Sequence, residues 1–151
     1  MTRQEKWDRR FIEMARMIAS WSKDPSTKVG CVIVDPRTNT IVATGYNGLP
    51  REVHDQAYRM QMRPEKYEWT EHAERNAVFE AARRGVALEG MTAYLNWEPR
   101  PCSDCARGLI QAGVKRVVGP NLPFGGKGDW DFSVSDEMMQ EAGVVQEIVA
   151  E

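Results

Sequence analysis

Helical and strand periods alternate along all 151 residues, and this constrains the fold more than any other feature. Residues 7–21 place Trp7, Phe11, Met14, Ala15, Ile18 and Trp21 at helical spacing, which predicts an amphipathic helix broken by Pro25. "VGCVIVD" and "TIVATGY" are short β-branched runs joined by the turn-rich "PRTN", the pattern of a hairpin. "NGLPREVHDQAYRMQMRPEKYEW" carries Pro50 and Pro64 and predicts an irregular loop over a site. The alanine-rich stretch from His72 to Arg84 predicts a helix stopped by Gly85. "MTAYLNW" then reads as a strand, "SDCARGLIQAG" as a helix ending at Gly113, and "VKRVVG" as a strand. After the glycine-rich "PNLPFGGKGDWD", "SDEMMQEAG" and "VVQEIV" close the chain with a helix and a strand. Five strands, with helices enough for both faces, predict an α/β fold: a three-layer α/β/α sandwich on a mixed five-stranded sheet. The length suits one domain over residues 1–151.

Composition excludes several classes of function. Twenty basic against twenty-two acidic residues give a net charge of -2 and a pI near 5.8. No basic excess marks a nucleic-acid binder. The charged "MTRQEKWDRR" resembles neither a signal peptide nor a membrane anchor, and no apolar run is long enough to span a bilayer. Three cysteines, an odd number, point to thiols in a reducing compartment, so the expected location is cytoplasmic.

Chemistry concentrates in two short motifs. "HAE" places His72 and Glu74 in the expected first turn of one helix, and "PCSDC" places Cys102 and Cys105 at the start of the next. Both helices follow strands, so their amino ends can meet at one edge of the sheet. Cysteines three apart on a helix share a face, and the exposed N–H groups there favour thiolates. One imidazole and two thiolates suit a single Zn²⁺ per chain and leave a coordination position open for water. Glu74 is the expected proton carrier beside that water. His-x-Glu followed by Pro-Cys-x-x-Cys is the signature of zinc-dependent nucleobase deaminases. Taken singly, Cys-x-x-Cys is also a redox pair or half a structural zinc knuckle, and a non-catalytic zinc or thiol-redox module is the competing reading. A second cysteine pair, which a zinc ribbon needs, is absent.

Beyond the two motifs, the chain resembles the cytidine deaminase superfamily and, more narrowly, the deoxycytidylate (dCMP) deaminases. "SKDPSTKVG", "GYNGLP", "HAERNAV", "PCSDCA" and "IQAGVKRVV" carry the resemblance over most of the chain. It implies a hydrolase acting on cyclic amidine C–N bonds, converting dCMP to dUMP and ammonia. By that resemblance His72, Cys102 and Cys105 hold zinc, Glu74 shuttles protons, Asn47 reaches the sugar, and Ser26, Thr27 and Lys28 lie near the substrate. Asn76 is expected to brace the site loops. The resemblance also implies a homo-oligomer built through the sheet-covering helices.

Three departures from the family pattern stand out. The loop before His72 holds only His54 and Cys31 lies in an apolar strand, so no second, structural zinc is expected. "YLNWEPRPC" is two residues longer than the family pattern, placing Glu98 and Arg100 beside the pocket. "REVHD" replaces a glycine-containing segment, so control by dCTP and dTTP is not carried over. Arg51, Arg59, Arg63, Lys28 and Lys127 are the loop cations that could meet a phosphate. "GGKGD" lacks the spacing of a phosphate-binding P-loop. The expected partner is a small nucleotide, with no membrane and no nucleic acid. Within the same fold a tRNA adenosine deaminase and a free nucleoside or base deaminase remain open.

Overall fold

Thr2 starts the first helix through a capping box: its hydroxyl accepts from the Glu5 N–H, and the Glu5 carboxylate accepts from the Thr2 N–H. In the computed structural model, which describes residues 1–125 and 130–151, α1 spans Arg3–Ala19 and begins earlier than the apolar spacing alone predicts. The hairpin follows as β1 (Gly30–Asp35) and β2 (Thr40–Tyr46). The segment expected to be irregular contains two short helices, α2 (Tyr58–Gln61) and α3 (Glu65–Trp69). Then come α4 (Ala73–Arg84), β3 (Thr92–Leu95), α5 (Ser103–Ala112), β4 (Arg116–Pro120), α6 (Ser133–Glu141) and β5 (Val145–Val149). Gly85 and Gly113 end α4 and α5 in the left-handed conformation, as their positions predict.

The sheet order is β2-β1-β3-β4-β5. β1 runs antiparallel to both β2 and β3, while β3, β4 and β5 are parallel. Phe11, Ile12, Ala15 and Ile18 of α1 pack on Val32, Val34, Tyr94 and Val118 on one face. The other face buries Ile33, Ala93, Leu95 and Val117 under Ala77 and Ala81 of α4, Leu109 of α5 and Met139 of α6. This is the expected three-layer α/β/α sandwich, and its mixed sheet follows from a hairpin followed by three strand–helix–strand crossovers through α4, α5 and α6.

Two contacts set how closely the layers approach. A Cβ on Gly45 in β2 would sit 2.4 Å from both the Ala73 carbonyl oxygen and the Ala77 nitrogen, so only glycine lets the start of α4 lie on that strand. Gly30 does the same for α1, with the Ala15 carbonyl 2.1 Å from the position of its missing Cβ. β3 ends at Leu95, short of the predicted Trp97. There the Asn96 amide takes over from the backbone ladder, accepting from the Gly30 N–H at 2.9 Å and donating to the Lys28 carbonyl at 3.1 Å. Among the described residues no helix is long and apolar enough to cross a membrane.

Candidate active site

Parallel strands aim the amino ends of their crossover helices toward one sheet edge, and two ligand candidates occupy such ends. His72 is the N-cap of α4 and Cys102 the N-cap of α5, each with extended backbone. His72 therefore stands just outside the helix rather than in its first turn, its carbonyl accepting from the Asn76 N–H at 2.9 Å. Neither side chain caps its own helix. Each turns toward the other instead: His72 Nδ1 lies 3.3 Å from Cys102 Sγ and 3.3 Å from Cys105 Sγ. A two-stranded bridge closes the loop ahead of His72, with Gly48 and Glu71 exchanging N–H···O bonds of 3.1 and 2.8 Å.

Geometry and charge both fit a metal. Tetrahedral zinc, with Zn–S of about 2.3 Å and Zn–N of about 2.0 Å, spaces its sulfur and nitrogen ligands about 3.5 Å apart. The three ligand atoms here lie within 4.8 Å of one another, and the cysteines are free thiols. A hydrogen bond from Cys105, helped by His72, pulls the Cys102 thiol down to about 4. The same bond, with burial and the nearby Glu74, pushes Cys105 far up. The hydrogen bond with Cys102 in turn raises His72 to about 9, so the metal-free pair is a thiolate facing an imidazolium, and a divalent cation would take the place of those protons. No other group of three or more such ligands occurs among the described residues. His54 is exposed on its loop and Cys31 is fully buried in β1.

Glu74 is 6% exposed. Burial raises its carboxyl above the usual range, against the pull of His72. Asn76 donates to the Tyr46 carbonyl at 2.8 Å, tying α4 to the end of β2 as expected of a brace.

An open pocket spreads from Glu74, His72 and Cys102. One wall is aromatic: Trp97, Phe124, Trp130 and Phe132 meet edge to face or stacked. Glu98 and Arg100 of the extended segment line it as expected. Glu98 secures the neighbouring loop, its N–H donating to Leu122 at 2.9 Å and its carboxylate accepting from the Phe124 N–H at 3.4 Å. Arg100 pairs with Asp136 at 2.7 Å and lies over the Phe132 ring.

The opposite wall depends on Asp24, a residue the sequence reading did not single out. Its carboxylate accepts from the Ser26 and Thr27 N–H groups at 2.9 and 3.1 Å and from Lys66 at 2.7 and 2.9 Å. Lys66, 8% exposed, was also missed. Asn47 lines the pocket with its amide engaged on three sides: Oδ1 accepts from the Val29 N–H at 2.9 Å, and Nδ2 donates to the Thr27 carbonyl at 2.9 Å and to Asp24 at 3.3 Å. Thr27 lines the pocket, and Ser26 lies behind it on Lys66 and Asp24.

Lys28 lies between the lining residues Thr27 and Val29 without lining the pocket itself. Its ammonium is held by the Ser22 carbonyl away from the pocket, and its own carbonyl accepts from the Trp97 indole at 3.0 Å. Among the other loop cations Arg51 pairs with Glu80, Arg59 lies over Trp69, and only Arg63 lines this pocket. Lys127 lies outside the described residues.

Comparison with known proteins bears on the same residues. The model of the cytidine and deoxycytidylate deaminase zinc-binding region matches residues 5–119. An Aliivibrio fischeri protein named "Uncharacterized deaminase in luxG 3'region" is 41% identical over 141 residues, covering 92% of this chain and 90% of its own. Human deoxycytidylate deaminase is 35% identical over 118 residues, which is 75% of this chain and 64% of the human protein. The dCMP deaminase of cyanophage S-TIM5, solved with dCMP and dUMP, superposes with a TM-score of 0.74 at 25% identity, covering 100% of this chain and 98% of the phage chain. With its His-Cys-Cys cluster set for zinc on that fold, the chain belongs to the zinc-binding cytidine and deoxycytidylate deaminase family.

Proposed function

We propose that the protein is a dCMP deaminase, releasing ammonia from dCMP to give dUMP. The observation that carries this reading is the convergence of His72, Cys102 and Cys105 beside a buried Glu74 in an open pocket walled by aromatic rings. His72 Nδ1 and the two thiolates would hold one zinc, which when bound supplies a Lewis-acidic open position for water. Glu74 is the acid–base group. Its carboxylate takes a proton from the attacking water and gives it to N3 of the cytosine. It then takes the proton of the new C4 hydroxyl and gives it to the amine, which leaves as ammonia as the C4–N bond breaks and the C4 carbonyl forms. The low exposure of Glu74, 6%, limits proton exchange with bulk solvent during the transfer. The aromatic wall stacks the base and excludes water. Asn47 holds the 24–29 segment in shape, and the second lone pair of Oδ1 accepts from a sugar hydroxyl. Thr27, beside it in the lining, completes that end of the pocket.

The same reading places the protein in the cytoplasm as a homo-oligomer. Met14 and Met17 on α1 and Phe79 on α4 are exposed apolar side chains suited to contact with further copies. An ammonia-release panel over dCMP, CMP, dCTP, deoxycytidine, cytosine and a tRNA anticodon stem tests the assignment. The highest specificity constant is expected for dCMP. Activity confined to the tRNA stem assigns the chain to the adenosine branch, and zinc retention with no ammonia from any substrate assigns it to the non-catalytic class.

A further inference from the structure

Three cations line the pocket among the described residues, and two of them already have carboxylates. Lys66 is neutralised by Asp24 and Arg100 by Asp136. Arg63 has only neutral partners: its Nε donates to the Tyr67 hydroxyl at 2.8 Å and its Nη2 to Ser26 Oγ at 3.3 Å. Lys66 Nζ donates to that same Ser26 oxygen at 2.9 Å, and the serine in turn donates to Asp24 at 3.0 Å. One hydroxyl thus gathers two cations against one carboxylate, leaving this wall with a surplus positive charge at the mouth.

We infer that Arg63 is the group that receives the 5′-phosphate of the substrate, with Ser26 and the Asp24–Lys66 pair as the positioning elements behind it. The inference rests on the nucleotide reading above and adds the residue that enforces it. Lys66 is the poorer candidate, because a phosphate drawn to it must approach the buried Asp24 carboxylate. Arg63 is separated from that carboxylate by the Ser26 hydroxyl. Its guanidinium is steadied by the Tyr67 hydroxyl while the remaining N–H groups stay open at the mouth, an arrangement that suits paired phosphate oxygens.

The test compares zinc-loaded wild type, R63Q, R63K and R51Q on dCMP and deoxycytidine. Arg51 belongs to the Glu80 pair outside this pocket and serves as the control. Wild type is expected to favour dCMP by on the order of 10²-fold in kcat/KM. R63Q should lose at least about tenfold of that preference, mostly through KM for dCMP. R63K should recover part of the loss by restoring charge without the fork, and R51Q should keep the wild-type ratio. A wild type that discriminates while R63Q keeps the ratio within about threefold overturns the assignment of Arg63 and leaves the nucleotide reading standing. A wild type with equal constants for both substrates overturns the nucleotide reading and this inference with it.

Discussion

Replacing Lys66 with methionine strands a carboxylate. The Asp24 side chain is 3% exposed and that of Lys66 9%, so solvent cannot compensate the lost ammonium. Removing one partner of a buried pair costs about 3–5 kcal/mol. Asp24 keeps its hydrogen bonds from Ser26, Thr27 and Asn47, which places the expected loss near the lower end, at about 3 kcal/mol. At about 2–4 °C per kcal/mol for a chain of this size, K66M should melt about 6–12 °C below wild type. Urea unfolding at pH 7 gives the same quantity independently. The double variant D24N/K66M removes the stranded charge and should recover at least half of the loss. A single variant within about 1 kcal/mol of wild type, or a double variant no better than the single, would refute the view that this pair is a closed, desolvated unit.

Two further variants probe the metal ligands and the buried Asp8 cluster. C105A should lose most of the roughly one zinc equivalent expected in wild type by elemental analysis, and near two equivalents in wild type would show a second site, contrary to the single His-Cys-Cys cluster. Asp8 titrates in a buried cluster: burial alone raises its carboxyl, but hydrogen bonds from Arg116, Tyr94 and Gln4 outweigh it and leave the group below the usual value. A depressed folded value stabilises the fold above the unfolded value of about 3.9 and stops doing so as the pH falls through the folded one. Urea titrations from pH 7 to 3 should therefore show a steeper acid decline in wild type than in D8N, and equal slopes would contradict the assignment.

What the sequence revealed was local. His-x-Glu and Cys-x-x-Cys sit within one turn of a helix start, so their spacing alone sets the ligand geometry, and Gly85 and Gly113 mark where those helices stop. The hairpin and the crossovers followed from periods of two and 3.6 in short windows. What stayed hidden depends on pairing across the chain. Lys66 stands 42 positions from Asp24, inside a stretch of charged residues where a buried lysine looks like a solvated one. The one available hint was "KDPST", an aspartate before a turn with both N–H donors local and no counter-ion assigned. The aromatic wall likewise joins Trp97 to rings from 124–132, two segments brought together by the parallel pairing of β3 and β4. The contact of Lys28 was hidden although it is local: its ammonium donates to the Ser22 carbonyl six residues earlier, which composition does not predict.

The central claim is that Glu74 moves the protons of a zinc-dependent deamination. The direct measurement is kcat for dUMP formation from dCMP by wild type and E74Q, with zinc content and melting temperature determined on the same samples. The account predicts that E74Q keeps its zinc and its fold and loses at least about 10²–10⁴-fold in rate. An E74Q protein that holds zinc and turns over dCMP at near the wild-type rate would contradict it.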